Sequence, residues 1–182
     1  MQSQAALRSL GLDRDVFLRS LIRHLAGSLE DVVGLEEASG YISLVGQAMG
    51  EEILAQYTET LDTDRLTVEQ AAAVMVDLKR RIGGGFSVEQ LTPDEIVLVN
   101  DACPFGDKVL GRESMCMMTS NVFGHVAAES TGYAKVGLEQ TIARGDGRCR
   151  VVVRLRDDAG ETIEGREYFG TVASQQGGRT QE

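Results

Sequence analysis

Apolar residues recur at helical spacing up to Ile82 and at strand spacing beyond the run Gly83-Gly84-Gly85. This change of period, from about 3.6 residues to 2, divides the chain into a helical half and a sheet-forming half. Segregated helices and antiparallel strands specify an α+β fold, with N-terminal helices packed on the sheet.

In the first half, residues 1–12 read as a flexible N-terminal arm. Asp13 is a helix start signal, followed by Val16, Phe17, Leu21, Leu25, Leu29 and Val32 at helical spacing, and Gly34 is a natural stop. A second helix is expected from Leu35 to Thr60. Its small residues Ala38, Gly46 and Gly50 form one stripe with Ile42 between them, a pattern that invites close approach of another helix. The pattern Thr67-Val68-Glu69-Gln70 is a capping box opening a third helix, which runs to Ile82. Lys79-Arg80-Arg81 closes it, where cations oppose the negative end of the helix dipole.

In the second half, Phe86 to Leu91 and Glu95 to Asn100 form a hairpin across Thr92-Pro93-Asp94. Glu113 to Ser130 reads as a helix ended by Gly132. Tyr133 to Ala143, Arg148 to Arg156 and Thr162 to Val172 read as a three-stranded meander, joined by turns at Arg144-Gly145-Asp146-Gly147 and Asp157-Asp158-Ala159-Gly160. Residues 13–173 make one compact domain, and 174–182 a disordered tail. On the strand from Arg148, period two places Cys149, Val151, Val153 and Leu155 on the buried face. Arg148, Arg150, Arg154 and Arg156 lie on the other, within reach of carboxylates.

A net charge of −10 disfavours nucleic acid, whose binding depends on clustered Lys and Arg, and a membrane surface for the same reason. No apolar run approaches the roughly 20 residues that span a bilayer, and Met1-Gln2-Ser3-Gln4 does not begin a secretory signal. The expected location is cytoplasmic, where thiols are free or metal-bound.

The three cysteines all fall in the second half. Cys103 ends a strand before Pro104, Cys116 enters in the first turn of a helix, and Cys149 comes from the buried face of a strand. A helix N-terminus favours thiolate, and thiolates suit zinc, Cu(I) and iron–sulfur clusters. Three cysteines are one short of a closed four-thiolate site. His125, Asp101, Asp107, Glu113, a small molecule or a partner chain could complete it. Two other readings stay open. Cys116 is a nucleophile in a hydrolase- or reductase-type enzyme, or the thiols are inert apolar filling in a structural interaction module. Met115, Met117 and Met118 suit either a soft pocket or the core. His24 reads as a surface or packing residue. No P-loop, dinucleotide fingerprint or nucleophile elbow is present, so an enzyme is the less favoured reading.

The segments Asn100-Asp101-Ala102-Cys103-Pro104-Phe105-Gly106, Cys116 and Gly145-Asp146-Gly147-Arg148-Cys149-Arg150-Val151 resemble the methanogen output domain, a relative of the 4-vinyl reductase domain group. Leu18-Arg19-Ser20-Leu21, Gly34-Leu35-Glu36-Glu37-Ala38 and Val45-Gly46-Gln47-Ala48-Met49-Gly50 extend the resemblance over residues 15 to 156. The cysteine pattern is also similar to that of repressors that sense iron–sulfur clusters. The twelve residues between Cys103 and Cys116 agree with them, the second interval is a few residues longer, and their basic winged helix-turn-helix is missing here. The resemblance implies a sensory domain signalling to a separate partner protein. It is dimeric through the helical segment 13–82, with a ligand-sensing core at 83–173. The expected site binds a metal such as zinc, an iron–sulfur cluster or a small molecule at Cys103, Cys116 and Cys149, beside a pocket of Phe105, Met118, Phe123 and His125.

Overall fold

The computed structural model describes residues 11–157 and 163–171. Most of the expected N-terminal arm, the whole 174–182 tail and most of the Asp157–Gly160 turn lie outside that range. Within it the order is α1 (Arg14–Val33), α2 (Leu35–Thr60), α3 (Val68–Arg81), β1 (Phe86–Leu91), β2 (Glu95–Asn100), α4 (Cys116–Thr131), β3 (Tyr133–Gln140), β4 (Cys149–Arg154) and β5 (Arg166–Phe169).

Local signals set these boundaries. The Asp13 carboxylate accepts the Val16 N–H at 2.8 Å and caps α1. Gly34, at φ 85°, turns the chain between α1 and α2, a conformation that side chains resist. The capping box of α3 is complete: Thr67 Oγ1 accepts from Gln70 N at 3.2 Å, and Gln70 Oε1 accepts from Thr67 N at 2.9 Å.

The five strands form one antiparallel sheet in the order β1-β2-β4-β3-β5. The α+β architecture is as expected, but the last three strands do not run as a simple meander. β5 returns to the free edge of β3 because β2 already occupies the far edge of β4, pairing Ile96 with Val153 and Leu98 with Val151. The physical reason lies in the strands themselves. Ile96, Val97 and Leu98 are buried on both faces, so β2 belongs inside the sheet, whereas β5 is short and mostly exposed.

The inner face of the sheet carries Ile96, Leu98, Val136, Val151 and Val153. Against it pack Ala71 and Met75 of α3, and Phe123, Val126 and Ala127 of α4. Helix α2 covers the other side of α4, and its stripe of small residues makes that approach possible. A Cβ at Gly46 would stand 2.8 Å from the Cβ of Asn121, and one at Gly50 would stand 3.1 Å from that of His125. The edge strand is equally close: a Cβ at Gly124 would fall 2.2 Å from the Tyr168 ring. On the outer surface, α1 exposes Leu18, Leu21, Ile22 and Leu25, and α2 exposes Tyr41, Leu44, Val45 and Met49, both at helical spacing. The arginines of β4 find carboxylates as expected: Arg150 pairs with Glu89 at 2.7 Å and with Glu139, and Arg154 with Glu95 at 2.7 Å.

Candidate functional site: a thiol-lined cavity with a buried lysine

Asn100 ends β2, opposite Phe86 of β1 on one side and Cys149 of β4 on the other. These three residues form a row across one end of the inner sheet face, with side chains close enough to touch. The Asn100 carbonyl oxygen accepts the Gly85 N–H at 2.9 Å and the Ala102 N–H at 3.1 Å, which fixes the amide. Its Nδ2 is then left buried without a hydrogen-bond partner, on a side chain only 2% exposed.

Beyond Asn100 the chain leaves the sheet, passes Cys103 and folds through Gly106 (φ 59°) and two short 3-10 turns into Cys116, the first residue of α4. Helix α1 grips this covering loop. Arg23 donates to the carbonyls of Lys108 and Leu110, the latter at 2.8 Å. Glu30 accepts from Arg112 at 2.9 Å and from the Ser114 hydroxyl at 2.5 Å.

Cys103, Cys116 and Cys149 thereby line one apolar cavity of about 30 Å³, together with Phe105, Met115 and Thr119. Each thiol is half-buried and free. The Cys149 sulfur accepts the Ile142 N–H at 3.5 Å. Cys116 also faces outward into a shallower hollow of about 130 Å³ formed with Leu35, Ser39, Glu113, Met117 and Arg144.

Lys79 is only 4% exposed. Its ammonium donates to Thr119 Oγ1 at 2.8 Å and lies 5.2 Å from the centroid of Phe123 and 5.8 Å from that of Phe86. It is near enough to act electrostatically on all three thiols. The basic run at the end of α3 is therefore split in function. Arg80 and Arg81 pair with Asp77 as helix-end cations do, while Lys79 points into the core. Burial pushes its pKa down from 10.5 to about 8, against the opposite pull of the cysteines.

The thiols are shifted the other way. Burial pushes the Cys103 thiol up, against smaller pulls from the Phe105 N–H, Lys79 and Arg19. Cys116 is pushed up to about 12, chiefly by burial, then by Cys149, Cys103 and Glu113. The helix N-terminus does not make Cys116 acidic, because desolvation of the thiolate outweighs the dipole.

Of the pocket residues read from the sequence, Phe105 lines the cavity and Phe123 stands a layer behind it, under Lys79. Met118 and His125 meet α2 at Gly46 and Gly50 instead, since they lie on the helix face turned from the sheet. Met115 reaches the cavity, Met117 the outer hollow, and His24 is exposed. Among the described residues, no three His, Cys, Asp or Glu side chains are set to hold a metal ion as they stand. Lys79 and Asn100 were overlooked although the same periodicities mark them. Lys79 follows Ala72 and Met75 on the apolar stripe of α3, and Asn100 continues the Ile96, Leu98 alternation of β2.

The chain belongs to the methanogen output domain 1 family, which it matches over residues 21–154. The matching family is one of output domains, which makes the chain a regulatory or interaction module. Among solved structures, its fold is similar to a trafficking protein particle complex subunit 3 from Naegleria fowleri covalently bound to palmitic acid. That likeness has a TM-score of 0.54 and 16% sequence identity, and covers 80% of this chain and 99% of that one. At that identity the likeness is one of fold. Comparison with curated proteins gives no match. No helix among the described residues is long and apolar enough to cross a membrane.

Proposed function

We propose that this protein is a cytoplasmic sensory domain in which Cys103, Cys116 and Cys149 hold a thiophilic centre, zinc or an iron–sulfur cluster. Occupancy is passed to a partner protein through α1 and α2. The observation that carries this reading is that thiols from a loop, a helix start and a strand line one buried cavity beside a buried cation. The donor set is soft and suits such metals. The cavity of about 30 Å³ is of the size of an ion or a water molecule. A single ion needs the thiols to draw together, and a cluster needs the loop over residues 101–115 to move outward. Either displacement pulls on Arg23 and Glu30, hence on α1.

The exposed apolar stripes of α1 and α2 are the surface where that movement is read, by a second copy of the chain and by the signalling partner. Two competing readings fit less well. The palmitic acid belongs to the structural neighbour, and a long acyl chain does not fit a cavity of about 30 Å³. A nucleophilic Cys116 needs its thiolate, which burial disfavours.

The test is anaerobic purification followed by an absorption spectrum and elemental analysis, repeated on Cys103→Ser and Cys149→Ser. Stoichiometric zinc, or iron with visible absorption, lost in both variants is the expected result. Metal-free, colourless protein that takes up neither zinc nor iron on reconstitution overturns the proposal.

A further inference from the structure

Two side chains at the cavity, Asn100 in its wall and Lys79 behind the lining residue Thr119, do not spend all their donor hydrogens. Asn100 Nδ2 is buried without an acceptor, and its amide cannot flip, because both backbone N–H groups of Gly85 and Ala102 bind the other end. The Lys79 ammonium has three N–H groups and, among the described residues, one acceptor, Thr119 Oγ1 at 2.8 Å. Unspent donors on two side chains, one in the wall of an apolar enclosure lined by three sulfurs and one charged and within electrostatic reach of all three, favour an occupant that is negative overall.

From this we infer that Lys79 and Asn100 are the donor half of the three-cysteine site, and that they tune it to a doubly positive centre bound by all three thiolates. With all three thiolates bound, the charges balance in that state. Three thiolates and a 2+ ion or cluster leave one negative charge, and the Lys79 ammonium cancels it. Three thiol protons are released on loading, and no electron is transferred. Asn100, directly across the ladder from Cys149, donates Nδ2–H to a bound sulfur, as hydrogen bonds around metal-bound thiolates commonly do. Two rings hold the ammonium in place, Phe123 at 5.2 Å and Phe86 at 5.8 Å, and no carboxylate among the described residues pairs with Lys79. Lys79 and Asn100 act through the ligands and are positioning residues.

This inference rests on the thiophilic reading of the cavity, and the experiment separates the two. The full chain, made metal-free, is titrated anaerobically with Co²⁺ and then with Zn²⁺ against a competing chelator. The wild type is expected to show thiolate-to-cobalt charge-transfer absorption, displaced by Zn²⁺. Lys79→Met keeps the stem and removes the charge. It is expected to bind with the same stoichiometry and roughly 10- to 100-fold more weakly, while its metal-free form unfolds at equal or higher denaturant. A merely structural lysine would lose stability and affinity together. Asn100→Asp retains acceptors for Gly85 and Ala102 and removes the donor, so it weakens Co²⁺ in the same direction. If Lys79→Met binds Co²⁺ as tightly as wild type with an unchanged spectrum, the counter-charge role is wrong and the thiol site stands. If wild type shows no charge-transfer band with either metal, the thiol site and this inference both fall.

Discussion

The Glu30 carboxylate and the Arg112 guanidinium pair at 2.9 Å, joining α1 to the loop that covers the three thiols. Both groups are largely shielded, and Glu30 also holds Ser114 at 2.5 Å. Glu30→Ala leaves Arg112 and Ser114 without that acceptor, at a cost of about 1–3 kcal/mol. It is expected to lower the urea midpoint and to speed alkylation of Cys103 and Cys116 in the folded protein. Unchanged thiol protection would show that α1 does not control the loop.

Lys79 gives the protein an unusual alkaline profile. Its folded pKa, about 8, lies below its ordinary value of 10.5, so the unfolded chain binds more protons between those limits. Stability contributed at this site is lowest below pH 8 and rises as pH climbs from about 8 toward 10.5. Lys79→Met removes the cost, which is on the order of 1–3 kcal/mol at pH 7. Urea unfolding in the presence of a chelator should show the variant ahead of wild type at pH 7, with the gap shrinking by pH 9.5. A gap independent of pH would mean that burial does not lower the pKa of the amine in the fold.

Cys116 should be a slow nucleophile. With its thiol pushed up to about 12 from 9.0, its thiolate fraction at pH 8 is on the order of a thousandfold below that of an ordinary cysteine. Mass-spectrometric mapping after brief iodoacetamide treatment should find Cys116 unmodified in native protein and modified in urea. Rapid, selective labelling of Cys116 would restore the catalytic reading.

How much of this was legible in the residues varies with the range of the interaction. Caps and stops at Asp13, Gly34, Thr67 and Gly132 were readable because each acts within one turn of itself. The stripe at Gly46 and Gly50 correctly announced a helix neighbour. The place of β5 was not readable, since it depends on which edge of β4 the distant hairpin takes. At the site, Phe105 came with the family resemblance, and the inward position of Cys149 followed from alternation along its strand. Lys79 did not, because the rule that cations collect at helix ends masked a position that the 3.6-residue period assigns to the core. His125 is set by its helix face, which turns it toward Gly50 of α2 and away from the cavity.

Packing of the edge strand on α4 offers a further check. Gly124→Ala places a methyl group 2.2 Å from the Tyr168 ring, and is expected to cost about 1–3 kcal/mol through overpacking. Chemical denaturation of the variant, alone and combined with Tyr168→Leu, measures it. The double variant should recover part of the loss. Equal stability of Gly124→Ala and wild type would refute the seating of β5 on this helix.

Leu25, 58% exposed on α1, and Leu44, 66% exposed on α2, test the apolar surface. Sedimentation velocity should show wild type as a dimer and Leu25→Glu/Leu44→Glu as a monomer with unchanged circular dichroism. A monomeric wild type would rule out self-association through this surface.

Cys116 belongs to two spaces at once, the inner cavity and the outer hollow against Leu35 and Ser39. The partition between the protein's most secluded chemistry and its surroundings is thus one side chain thick. It stands beside the elbow at Gly34, where α1 hands over to α2. News from the interior need not travel through the sheet at all; it has only to lean on a joint.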